Sequence, residues 1–150
     1  HHIDFENGYI NIDPCEVYEK INKKELSNIS FMGYQKDVCA EIRKTDIICF
    51  PSHLDAVGRP VIEGALFSKP SIVALNKPKN DTLINGVTGL ACRPMDAEDI
   101  FRCVKYFYDN PDGIASMGRE AYRLAQLNFD IKLNARKVLD VYRKVTDSTE

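Results

Sequence analysis

A chain of 150 residues, 44 % apolar and 28 % charged, has the size and composition of one ordinary folded domain, able to bury about 70 % of its unfolded surface. This excludes a disordered tail, a collagen-like repeat and a small disulfide scaffold, and no run approaches the roughly 20 apolar residues of a membrane span. Twenty basic against 22 acidic residues leave a formal charge of −2, so the balance calls for neither nucleic acid nor a membrane surface as a partner.

The chain opens on His1-His2-Ile3 without Met and reads as a piece of a longer protein. Its two histidines fit equally the end of a purification tag or native residues entering a first strand. Residues 15–26 place Val17, Tyr18 and Ile21 on one stripe, which predicts an amphipathic helix. Residues 29–32, closed by Gly33, predict a short strand, and residues 36–44 a helix through Val38, Ala40 and Ile42. Residues 46–50 are apolar on both faces, as in the middle of a parallel sheet covered by helices on both sides.

A loop over 52–58 precedes a helix over 59–68. Pro60 lies near its first turn, and Val61, Ile62, Ala65 and Leu66 form its expected buried face. Residues 70–75 predict a strand, 81–84 one helical turn, 86–89 a turn and 90–92 a short strand. The remainder reads as helices over 96–109, 111–127 and 131–145. The first of these has Asp96 as N-cap and Ile100, Val104, Phe107 and Tyr108 on one face. Phe101, Tyr106, Phe107, Tyr108, Tyr122 and Phe129 read as helix-packing core in preference to a base-stacking platform. Strands alternating with helices predict an α/β, doubly wound, mostly parallel sheet within one domain, 1–150. The five cysteines (15, 39, 49, 92 and 103) are odd in number, without CxxC spacing or a histidine at zinc-finger distance, and read as free thiols of a cytoplasmic protein.

In an open α/β sheet, ligands bind off the carboxyl ends of the strands, which selects the loops 51–59 and 76–85. In the first, Gly58 lets backbone approach a ligand, and the helix start at Arg59-Pro60 offers free N–H groups and a positive dipole end to an anionic group such as a diphosphate. Asp55 and Glu63, eight apart across this junction, can face one crevice and accept hydrogen bonds from sugar or ribose hydroxyls. Equally, Glu63 satisfies the helix dipole from the first turn and Asp55 is an ordinary loop acid. His53 reads as a donor contact or a solvated loop residue. Lys77 and Lys79 fit a phosphate contact or a solvated charged loop. Arg59 suits a donor contact, or only a loop cap or a surface pair, and Thr82 a phosphate contact or a simple cap.

The segment Pro51-Ser-His-Leu-Asp55-Ala-Val-Gly58-Arg-Pro60-Val-Ile-Glu63-Gly-Ala-Leu-Phe-Ser-Lys69-Pro70-Ser-Ile-Val resembles the signature of the family 4 retaining glycosyltransferases. There the pattern is Pro-Ser, an acid, Gly-Phe-Gly, a helix with Glu-Ala, then Gly-Lys-Pro-Val-Ile. Asp81-Thr-Leu-Ile-Asn-Gly86-Val-Thr-Gly89-Leu resembles the family's Glu, apolar pair, Gly-x-x-Gly-Leu segment, and Ile29-Ser-Phe-Met-Gly33 its Val-x-Phe-x-Gly strand. Residues 117–129 and Tyr142 resemble its closing helices, so the likeness runs from about 15 to 142. Three features depart from the pattern: Asp55 in place of Glu, Ala56-Val57 in place of Gly-Phe, and residues 76–80 in place of a Gly-Gly loop.

The resemblance implies the C-terminal, Rossmann-like donor half of a two-domain GT-B enzyme, with the first part of that half and the N-terminal acceptor domain absent and the fragment inactive alone. Asp55 takes the position that contacts the transferred sugar, and Glu63 the position that holds the ribose hydroxyls. Gly58 and Arg59 lie where backbone approaches the donor, with His53, Pro60 and Thr82 beside them. A hexosyl group would pass with retained configuration from a nucleotide-sugar, a UDP-sugar over a GDP-sugar, to a glycan or lipid-linked acceptor, without a metal or other cofactor. The expected setting is polysaccharide assembly in the cytoplasm or, for the parent, at the cytoplasmic face of the inner membrane. Two alternatives stay open: a sugar-nucleotide epimerase of the related two-lobed fold, and a non-catalytic nucleotide-binding module, which the Asp55 replacement keeps in view.

Overall fold

The computed structural model of the chain describes residues 2–4, 9–11, 19, 28–54, 56–77 and 80–147, which fall into two units, His1–Lys36 and Asp37–Glu150. In the first unit, β1 (His2–Asp4) and β2 (Tyr9–Asn11) form an antiparallel pair with Ile3 opposite Ile10. The helix expected over 15–26, and Cys15 with it, lies outside the described residues except for Glu19, which is helical. Residues 29–32 are not a strand. Neither sheet of the described residues includes them, and Ile29, Phe31 and Met32 are exposed. A short, largely apolar run makes a strand only where a neighbouring edge takes up its backbone groups. A turn follows at Gly33, whose φ is +61°, with the Gln35 amide donating to the Met32 carbonyl.

The second unit begins with α1 (Val38–Lys44), capped by the Asp37 carboxylate accepting from the Ala40 N–H at 3.0 Å. Then come β3 (Ile48–Phe50), α2 (Arg59–Leu66), β4 (Ser71–Ala74), β5 (Gly89–Cys92), α3 (Ala97–Asp109), α4 (Pro111–Phe129) and α5 (Ile131–Asp147). The strands form a parallel sheet in the order β3-β4-β5, with Phe50 opposite Val73 and Val73 opposite Ala91. Alternation along the strands divides the core into two faces. Ile72, Ala74, Leu90 and Cys92 pack with Cys103 and Phe107 of α3 and Met117 of α4. Val73 and Leu75 turn the other way, onto Val61 of α2 and Leu83. Helices therefore cover both faces, and the doubly wound α/β expectation holds.

The strand buried along its whole length is β4, not residues 46–50: all four β4 residues are buried, whereas Ile48 and Phe50 are half-buried and Cys49 is exposed. Among the described residues β3 pairs on one side only, so it is an edge, and its apolar composition exceeds what its position covers. Leu66 is exposed, because α2 turns Val61, Gly64 and Ala65 inward. A Cβ on Gly64 would run into the Ile48 side chain, so the helix lies close on the strand only because that residue is glycine.

α2 closes in a Schellman turn: Lys69 N–H donates to Gly64 O and Ser68 N–H to Ala65 O, both at 2.9 Å. Ser68 holds φ at +56°, the left-handed region that glycine usually occupies. Its carbonyl sits so near Gly118 of α4 that a Cβ there would strike it.

α3 is capped by Asp96, whose carboxylate accepts from Asp99 N–H at 2.9 Å. Its inward residues are Cys103 and Phe107, with half-buried Ile100 packed against the core; Val104 and Tyr108 are exposed. Of the six aromatics expected in the core, Phe107 is buried and half-buried Phe129 packs on Ala65, Ala121 and Ala125. Phe101, Tyr106, Tyr108 and Tyr122 are exposed. Cys39, Cys49, Cys92 and Cys103 are free thiols. Burial, with Cys103 as the next contribution, pushes the Cys92 thiol up to about 11, so it stays protonated and unreactive at neutral pH. No helix among the described residues is long and apolar enough to cross a membrane.

Candidate functional site

Two loops leave the carboxyl ends of neighbouring strands. Residues 51–58 follow β3, and residues 75–88 follow β4. The first is held by its own short bonds: Ser52 N–H to Phe50 O at 3.0 Å, Leu54 N–H to Ser52 Oγ at 3.1 Å, and Ala56 N–H to Leu54 O at 2.7 Å. His53, on this loop, is exposed, and Asp55 lies outside the described residues.

Gly58 is the N-cap of α2, in extended conformation and without a side chain to close the helix end. A Cβ here would lie 2.7 and 2.9 Å from the two ε carbons of Phe50, so glycine serves helix-on-strand packing as well as open access to the helix start. Arg59 and Pro60 occupy the first turn and are exposed.

Glu63 is the fifth residue of α2, beyond the first turn, where the sequence reading placed it. The dipole effect fades within that turn, so offsetting the helix dipole is not what keeps a carboxylate here. Glu63 is half-buried and, among the described residues, has no hydrogen-bond or ion-pair partner. Arg59 sits one turn earlier, at the spacing where helical ion pairs form, yet the two are not paired. A half-buried carboxylate left without a donor retains its full capacity to accept one.

Leu83 brings the second loop to this place. It is 1 % exposed and packs with Val61 of α2, Val73 and Leu75, while Val57 of the first loop closes against the same cluster. Both loops and the start of α2 thus share one apolar anchor. Residues 81–84 form no helical turn: Asp81 and Thr82 lie in a turn, where the Thr82 hydroxyl donates to Asp81 Oδ1 at 3.0 Å. The next turn is braced from several sides. Ile84 N–H donates to Thr88 Oγ1 at 2.8 Å, Gly86 holds φ at +78°, and Asn85 Oδ1 accepts from Ala91 N–H at 2.8 Å. Lys77 is exposed, and Lys79 lies outside the described residues.

Gly58, Arg59, Pro60 and Glu63 therefore stand at the start of α2 and Thr82 on the loop after β4, two segments that share the Leu83 anchor, with His53 exposed on the first loop. Sequence reasoning missed Leu83, Thr88 and Asn128. Thr88 was visible only as part of a turn. Asn128, whose side-chain amide donates to the Asp81 carbonyl at 2.8 Å, carries no local signal, being 47 residues away in sequence. A recess of about 640 Å³ beside Asp46, Lys69 and Arg119 lies at the opposite end of the strands and holds none of the predicted residues.

Residues 15–124 match the family described as Glycosyl transferases group 1, and the chain belongs to that family. Among curated proteins it is similar to the D-rhamnosyltransferase WbpZ of Pseudomonas aeruginosa, 29 % identical over 112 residues, which cover 71 % of this chain and 29 % of that protein. The chain thus corresponds to under a third of this relative. Among solved structures it resembles a glycosyltransferase from Rickettsia africae, with a TM-score of 0.80 and 26 % identity over 88 % of this chain and 36 % of that one. It also resembles Anabaena Alr3699/HepE in complex with UDP and glucose, with a TM-score of 0.79 and 19 % identity over 87 % and 36 % of the two chains. The observed fold is that of one Rossmann-like half of a GT-B glycosyltransferase.

Proposed function

We propose that this chain is the donor-binding domain of a retaining glycosyltransferase and that it takes a nucleoside-diphosphate sugar, a UDP-sugar over a GDP-sugar. The observation that carries the reading is Glu63: a half-buried carboxylate, unpartnered among the described residues, one turn inside a helix whose start has no side-chain cap. A carboxylate so placed accepts the two hydroxyls of a ribose, and the open N–H end of α2 faces the negative charge of a diphosphate. Membership of a glycosyltransferase family, and a shared fold with a protein whose structure holds UDP and glucose, support this assignment.

In this reading Asp55 meets the transferred sugar, and His53, Gly58, Arg59, Pro60 and Thr82 line the donor. As bond cleavage leaves charge on the diphosphate, α2's amide end and basic side chains stabilise it by fixed electrostatics, without a metal ion. The glycan or lipid-linked acceptor would be bound by the parent enzyme outside this chain.

Calorimetric titration with UDP, GDP and ADP tests the reading. Binding of one nucleotide, weakened about tenfold or more by Glu63→Ala at unchanged melting temperature, is expected for the loss of charge-assisted hydrogen bonds. Unchanged affinity in Glu63→Ala would remove the ribose role.

A further inference from the structure

Among the described residues α5 packs beside the end of α4. Along its 17 residues Asn134 is the only one that is not exposed, and no residue is buried. The Asn134 side-chain amide donates to the Asn128 carbonyl at 3.0 Å, satisfying one of the acceptors left open at the end of α4. Asp130 between them accepts from Leu133 N–H at 2.8 Å. Asn128 then spends its own side-chain amide on the loop after β4, donating to the Asp81 carbonyl at 2.8 Å. The next residue, Thr82, donates to the Asp81 carboxylate, and the one after it, Leu83, is the anchor shared with α2. Two separate bonds thus meet at Asn128: its carbonyl receives α5, and its side-chain amide holds the loop that borders Glu63's helix.

We propose that Asn128 is a positioning residue for donor binding: its amide fixes residues 81–83 in the arrangement that receives the nucleotide-sugar, although Asn128 itself touches no donor. The inference rests on the donor-domain reading above. The bond joins residues far apart in sequence, so no local turn chemistry substitutes for it. A buried Leu83 holds the segment's depth but not its rotation, whereas a directed hydrogen bond to the preceding carbonyl sets both.

The test uses the whole chain with UDP as probe and compares Asn128→Ala with Asn134→Ala, which removes a bond at the same corner without touching the loop. Amide exchange at residues 82–84, read without nucleotide, is expected to accelerate about fivefold in Asn128→Ala, the scale of one neutral hydrogen bond. The UDP dissociation constant is expected to rise by a similar factor. Asn134→Ala is expected to lower the melting temperature while leaving both readings in place. Exchange unchanged in Asn128→Ala overturns the proposal whatever the affinity does. Faster exchange with unchanged affinity overturns the role in binding, and equal losses in Asn134→Ala assign the effect to general packing of the corner and overturn it too. If the unaltered chain binds neither UDP nor another nucleoside diphosphate, the donor-domain reading falls first and takes this one with it.

Discussion

The eight residues of α2 bury three of their number, and the seventeen of α5 bury none, although both helices are amphipathic. The difference lies in side-chain size where the helix meets its neighbour. α2 offers Gly64 to Ile48 and Ala65 to Ala121 and Ala125, so its backbone comes close and Val61 is buried, while Leu66 stays exposed on its outer side. α5 carries Ile131, Val138, Val141, Tyr142 and Val145, all more than half exposed. An apolar stripe states what a helix is able to cover; small residues at the contact decide how closely it is held.

Three substitutions sharpen or break that comparison. The largest effect belongs to the sheet that α2 covers from one side. Ile72→Ala, at a fully buried site in β4, is expected to cost about 2–5 kcal/mol in urea unfolding. A loss under about 1 kcal/mol would move the centre of the core away from β4. Ser68→Gly is expected to stabilise the chain by about 1 kcal/mol, because glycine adopts the left-handed φ at the end of α2 without strain. No rise in melting temperature would mean that Ser68 is not held there in solution. The smallest effect belongs to α5, where Val138→Ala is expected to change stability by less than about 0.5 kcal/mol. A loss as large as that of Ile72→Ala would show this face covered in solution and end the contrast.

Much of this architecture was legible in the residues. Pro60 and Gly58 marked the start of α2, Asp96 that of α3, and the β-branched run before Leu75 predicted β4. The positions of the loops that carry the site followed from strand ends alone. Burial was less legible. Residues 46–50 are as apolar as β4, but an edge position among the described residues leaves them half-covered, and composition does not reveal strand order. Tyr108 and Val104 look as apolar as Phe107 yet face outward, because a rotation of about 100° per residue separates covered from uncovered, and Cys103 with Phe107 set the phase. At the site, residue types were readable, whereas the fastening of the two loops through Leu83 and Asn128 depends on contacts between distant segments, for which no local pattern exists.

The parallel order β3-β4-β5 also has a kinetic meaning. Each strand is separated from its hydrogen-bonding neighbour by a helix or a long loop, so no two adjacent strands can zip from a tight hairpin. β4 is the partner of both, and until it is in place neither β3 nor β5 has an edge on which to form. Loop closure must therefore be met before pairing repays it, and both pairings of this sheet depend on β4.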